Sequence, residues 1–75
     1  MNNTIELRLE SHAIGNAIKE TRLKRKMTQK QLGELIGVQK AQISRIENNL
    51  SNARMDTIMK VFTALDAEVK FQVEL

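Results

Sequence analysis

MTQKQLGELIGVQKAQISRIENN, residues 27 to 49, contains two apolar stripes at helical spacing with a glycine between them. Leu32, Leu35 and Ile36 form the first stripe. Thr28 precedes it and Gln31 follows Thr28 by three positions, the pattern of a capping box. Ile43 and Ile46 form the second, in a helix predicted from about Gln39 to Glu47. Only Ile36, Gly37, Val38 and Gln39 join the two helices, and helices joined so tightly must cross steeply. Gly37 ends the earlier helix in the left-handed conformation at little cost. Gly33, one turn before it, has no side chain to obstruct the later helix. With Leu32, Ile36, Val38, Ile43 and Ile46 as the buried faces, the spacing predicts helix–turn–helix geometry from packing alone.

Upstream of this unit, Ser11 is placed to cap a first helix with Ile14, Ala17, Ile18 and Thr21 on one face, interrupted by Gly15. Lys24 to Lys26 suit its C-terminal end. Downstream, residues 48–53 (NNLSNA) read as a loop. A fourth helix from about Met55 to Leu65 has Met55, Ile58, Phe62 and Leu65 at helical spacing. Both ends of the chain change to a period of two. Ile5, Leu7 and Leu9 alternate within residues 1–10, a short strand or arm, and Val69, Phe71, Val73 and Leu75 alternate within residues 67–75. A lone strand needs a partner for its backbone and its apolar face. The candidates are residues 5–9 or the same strand of a second subunit. The second is favoured, because the tail adds a large apolar face to a very small domain. The expected organisation is an arm or strand at 1–10, a mostly α four-helix domain at 11–66 and a dimerisation strand at 67–75.

Seventy-five residues make one domain with a core near the lower size limit for stability. The absence of cysteine and the single histidine, His12, exclude a disulfide framework and a thiol nucleophile, and they argue against the usual zinc sites. No catalytic constellation, metal or cofactor is expected. There is no apolar run of membrane-spanning length and no signal-peptide pattern after Met1, so the cytoplasm is the expected location. The net charge of +3 is modest, but Lys19, Arg22, Lys24, Arg25, Lys26 and Lys30 crowd into one segment opposed only by Glu20. Such a cluster attracts a polyanion, or is simply a well-solvated helix end. With only Phe62 and Phe71 as aromatics, a platform for stacking single-stranded bases is not expected.

The segment 27–49 resembles the helix–turn–helix of the phage repressor/Cro-like (XRE) family of transcription regulators, and the resemblance extends over about residues 14–66. Thr28 and Gln29 match the family's Thr-Gln start, Gly33 its small residue and Gly37 its turn glycine. Val38, Ile43 and Ile46 match its buried positions. The resemblance implies a lambda-repressor-like fold whose third helix enters the major groove. Its base-facing positions correspond to Gln39, Lys40, Ala41, Gln42 and Arg45, and Thr28, Gln29, Ser44 and Asn48 are implied as contacts to the DNA backbone. The residue types suit those roles. Lys40 and Arg45 can donate to guanine, Gln39 or Gln42 can pair with adenine, and Ala41 can meet a thymine methyl. Arg22 and Glu47 match an arginine–glutamate pair that fixes the third helix against the first, a structural role. The sequence departs from the family pattern at three positions. Gln39 replaces a capping Ser or Thr, Asn49 a common glycine, and Arg54 a capping Ser, with Asp56 near enough to share that work.

The terminal strand and the Glu47-Asn48-Asn49 sequence narrow the resemblance to the antitoxin branch, closest to the antitoxin of HipA-type kinase modules. Related domains neutralise RelE- or HigB-like ribonucleases. The resemblance implies a homodimer that binds double-stranded operator DNA, represses its own operon and binds a cognate toxin. Two alternatives remain open. One is a free-standing regulator without a toxin, and the other is a protein-interaction module that binds DNA weakly.

Overall fold

The computed structural model describes residues 4–8, 11–49 and 54–72. The order of elements is strand β1 (Thr4–Arg8), helices α1 (Ser11–Lys24), α2 (Gln29–Ile36), α3 (Lys40–Glu47) and α4 (Met55–Ala64), and strand β2 (Glu68–Gln72). The fold is mostly α, with four helices around one core, as the sequence predicts. Ile18, Leu32, Ile43, Ile46, Ile58, Val61, Phe62 and Leu65 form that core, and Ile5, Ile14, Ala17, Met27, Ile36, Val38 and Val69 pack around it. Among the described residues no helix is long and apolar enough to cross a membrane.

Two apolar residues of the expected stripes face solvent. Leu35 is 60% exposed. The inward face of α2 is centred on Leu32, Gly33 and Ile36, and Leu35 lies on its outer flank. Met55, 47% exposed, stands in the first turn of α4, and Val61 takes its place in the core stripe. That stripe is therefore Ile58, Val61, Phe62 and Leu65, the i, i+3, i+4, i+7 face of an amphipathic helix.

The terminal strands pair with each other. β1 and β2 form a two-stranded parallel sheet with Ile5 opposite Val69 and Leu7 opposite Phe71. The sequence favours a second subunit as the partner of the C-terminal strand. Within the chain, however, one edge of β2 is occupied by β1. The helical domain between them acts as the long crossover that a parallel pair requires, and it brings its two flanking segments side by side. Val73 and Leu75 lie outside the described residues.

Helix ends contribute much of the local order, because eight- to ten-residue helices are marginal by themselves. The capping box of α2 is complete. Thr28 Oγ1 accepts from Gln31 N at 3.0 Å, and Gln31 Oε1 accepts from Thr28 N at 2.8 Å. Among the described residues four adopt positive φ, namely Lys26, Gly37, Asn49 and Asp66, and each follows a helix. The end of α1 is closed by bonds from Lys26 N to Leu23 O and from Met27 N to Arg22 O. The end of α4 is closed in the same way, by Asp66 N to Thr63 O and Ala67 N to Phe62 O. Both are Schellman motifs built on a residue with a Cβ rather than on glycine.

Asp66 holds φ 56° in that motif, a conformation that strains a residue with a side chain. Asp66→Gly is therefore expected to stabilise the fold by about 0.5–1 kcal/mol. A thermal melt followed by circular dichroism should show a higher midpoint, and an unchanged or lower one would contradict the strain.

Candidate nucleic-acid interface

The position of α3 is set by a buried ion pair. Arg22, in the last turns of α1, and Glu47, the last residue of α3, are 7% and 3% exposed. Arg22 Nε donates to Glu47 Oε2 at 2.7 Å and Nη2 donates to Oε1 at 3.0 Å, a bidentate pair. The third guanidinium nitrogen, Nη1, donates to the Met27 carbonyl at 2.8 Å, immediately before the α2 cap. Gln29 adds a bond from α2, its Nε2 donating to Glu47 Oε1 at 3.1 Å. One carboxylate thus gathers α1, α2 and α3. Among the described residues no buried side-chain nitrogen or oxygen is left without a partner.

The turn between α2 and α3 is held by two glycines. Gly37 has φ 78°, and its N–H donates to the Gly33 carbonyl. A methyl group on Gly33 would sit 2.6 Å from the Val38 carbonyl oxygen, so the chain can pass there only over a bare Cα. Ile43 and Ile46 are buried and Val38 is half-buried, which turns the opposite face of α3 to solvent.

That outward face carries the residues expected to face bases. Gln39, Lys40, Ala41, Gln42 and Arg45 are all exposed. Gln39, Ala41, Gln42 and Arg45 line one shallow depression, while Lys40 stands at the first position of the helix. Among the described residues no carboxylate pairs with Lys40 or Arg45. Gln39 precedes α3 without a side-chain capping bond, so its amide is not committed to the helix end.

The expected backbone-contacting residues are more constrained. Thr28 Oγ1 already accepts the capping bond from Gln31 N. Gln29 is half-buried and has one amide hydrogen on Glu47, which leaves the other uncommitted by that bond. Ser44 is half-buried, and Asn48 Nδ2 donates to the Ser44 carbonyl at 2.8 Å, closing the last turn of α3. At α4 the Asp56 carboxylate accepts from Thr57 N at 2.9 Å, and Arg54 makes no capping bond with its side chain.

Two features escape a reading of the sequence. Arg25 belongs to the basic cluster by count, yet its guanidinium closes the C-terminus of α4, with Nε to Leu65 O at 3.0 Å and Nη2 to Asp66 O at 3.1 Å. The bond from Gln29 to Glu47 is equally hidden, because nothing in the spacing of 29 and 47 marks them as neighbours.

A family model described as helix–turn–helix matches residues 18–71. The chain belongs to the helix–turn–helix family. Within this XRE-type family, HipB of Escherichia coli, a curated antitoxin, is 36% identical over 53 residues, which span 71% of this chain. The match covers 60% of HipB's own length. Among solved structures, the HipB–O4 20mer complex and the HipA–HipB–O2–O3 complex each contain a chain similar to this one. In each case the TM-score is 0.75 and identity is 29%, over 88% of this chain and 93% of the other. The helix–turn–helix of this member is thus the unit organised around Glu47.

Removing one partner of a buried ion pair strands the other charge. Glu47→Ala is therefore expected to cost about 3–5 kcal/mol, a large share of the stability of a domain this small. Replacing both partners, as in Arg22→Met with Glu47→Leu, should recover much of that loss. Urea denaturation of the single and double variants would decide the matter. A mild single variant would mean that the pair is dispensable.

Proposed function

We propose that this chain is a sequence-specific repressor of double-stranded DNA that acts as a homodimer, and that it is the antitoxin and operon autoregulator of a type II toxin–antitoxin module. The observation that carries the DNA-reading part is the depression shared by Gln39, Ala41, Gln42 and Arg45 on the solvent face of α3. It combines two amides, a methyl and a guanidinium, groups suited to adenine, thymine and guanine edges in the major groove. Lys40 adds a second cation at the leading end of the helix. Gln29, with its remaining amide hydrogen, and the first-turn N–H groups of α2 suit phosphate oxygens. Thr28, Ser44 and Asn48 have lesser roles in this reading, because their side chains also serve the ends of their own helices.

A module with a single recognition helix gains affinity by pairing. In the proposed dimer the two α3 helices lie about one DNA turn apart, on the order of 34 Å. The second subunit would join through the C-terminal strand, on the side of β2 away from β1. The toxin partner follows from the likeness to HipB and to the HipA–HipB–O2–O3 complex, so a HipA-type kinase is preferred over a RelE- or HigB-type ribonuclease. A repressor of this kind works in the cytoplasm, beside its operator. No catalytic role is assigned. Glu47 is committed to Arg22 and Gln29, and Asp56 to the first turn of α4.

Co-purification from the native host, sized by light scattering and tested for DNA in the same fraction, tests the whole reading. A stoichiometric kinase partner supports the antitoxin assignment. A bare dimer that still selects one palindrome identifies a free-standing repressor, and failure to select any duplex identifies a protein-interaction module.

Arg45→Ala is expected to lower discrimination between the selected duplex and a shuffled one by about 1–3 kcal/mol, with thermal stability unchanged. Equal discrimination in a binding titration would remove Arg45 from the base-reading set. Deleting residues 69–75 should shift the protein towards monomer in sedimentation and weaken operator binding with it.

A further inference from the structure

Gly15 lies in the interior of α1, where glycine weakens a helix relative to alanine. Its surroundings explain its presence. A methyl group there would sit 2.7 Å from three oxygen atoms, the carbonyls of Ile46 and Glu47 and Oδ1 of Asn49. Two of these belong to the backbone of the last turn of α3, so a rotamer change cannot clear them. Gly15, Ile18 and Arg22 occupy one stripe of α1 at i, i+3 and i+7. The stripe meets α3 through the Gly15 surface at one point and through the Arg22–Glu47 pair at another, two turns or about 10 Å along α1. The C-terminus of α3 is thus docked on α1 twice, while Gln39, Lys40 and Arg45 project from the rest of the helix into solvent.

We infer that Gly15 is a positioning residue for DNA recognition, setting how far and at what angle the leading end of α3 projects from the domain. The inference rests on the DNA-reading function proposed above. A side chain at position 15 must push the last turn of α3 outward by at least about 0.7 Å to reach ordinary contact distance. The other anchor at Arg22 converts that push into a tilt. The tilt moves the base-facing side chains out of register with the groove, whereas contacts made through charge to phosphates tolerate it.

The test compares the wild type, Gly15→Ala and the exposed-face control Asn16→Ala on two duplexes of equal length. One is selected by the wild type from a random pool, and the other is its shuffled sequence. Gly15→Ala is expected to lose about tenfold or more of the affinity ratio between the duplexes. Its binding to the shuffled duplex, and the salt dependence of that binding, should change less than about twofold, and Asn16→Ala should match the wild type. Adding Asn49→Ala to Gly15→Ala should not restore the ratio, because the Ile46 and Glu47 carbonyls remain.

An unchanged ratio in Gly15→Ala, or rescue by Asn49→Ala, overturns the inference. If the wild type selects no duplex, the function falls and the inference with it. Should Gly15→Ala not fold, the same comparison is made in the Asp66→Gly background. Failure to fold there too assigns Gly15 to folding rather than to positioning.

Discussion

The Arg22–Glu47 pair is the interaction on which the rest of the arrangement depends. Withdrawing two charges from water costs several kcal/mol per ion, and attraction between them offsets this only when the remaining hydrogen-bonding groups are satisfied. Here they are largely satisfied. The carboxylate receives Nε and Nη2 of Arg22 and the amide of Gln29, and Nη1 of Arg22 reaches the Met27 carbonyl. Apolar burial is non-directional, so Ile43 and Ile46 can hold α3 on the core without specifying its rotation or its height. The bidentate geometry supplies that directional constraint, and it does so at the end of α3 opposite Gln39 and Lys40.

Short helices make the chain depend on its helix ends. α2 and α3 have eight residues each, so the unsatisfied groups of their termini are a large fraction of all their backbone groups. The capping box at Thr28, the left-handed Gly37 and the Asn48 bond to Ser44 O each remove part of that deficit. Arg25 does the same for α4 from across the fold, and it ties the α1–α2 turn to the point where the chain enters β2. A basic cluster that looks like one electrostatic feature is therefore divided. Arg22 and Arg25 hold the fold together, while Lys24, Lys26 and Lys30 face solvent.

Much of the architecture was legible in the sequence because its signals are local. A capping box needs Thr28 and Gln31 three residues apart, and a tight turn needs Gly37. The inward stripe of α3 needs Ile43 and Ile46 at helical spacing, which leaves Lys40, Ala41, Gln42 and Arg45 on the outer face. Periodicity was less reliable at the margins of each stripe. Leu35 and Met55 fit a helical period, but which flank of a stripe is buried depends on the direction from which the neighbouring helix arrives.

The amino-acid sequence by itself determined the number of helices, the turn between α2 and α3, the face that α3 turns outward and the alternating strands at the two ends. These follow from spacing and side-chain chemistry within a few residues. Tertiary structure alone decided that β2 lies beside β1, that Gln29 shares Glu47 with Arg22, that Arg25 closes α4, and that Gly15 passes bare beneath the end of α3. Each of these joins residues distant in the chain, and spacing along a sequence carries no distance across a fold. What brings such groups together is the packing of helices around Phe62, Leu32 and Ile18, which exists only once the whole domain has formed.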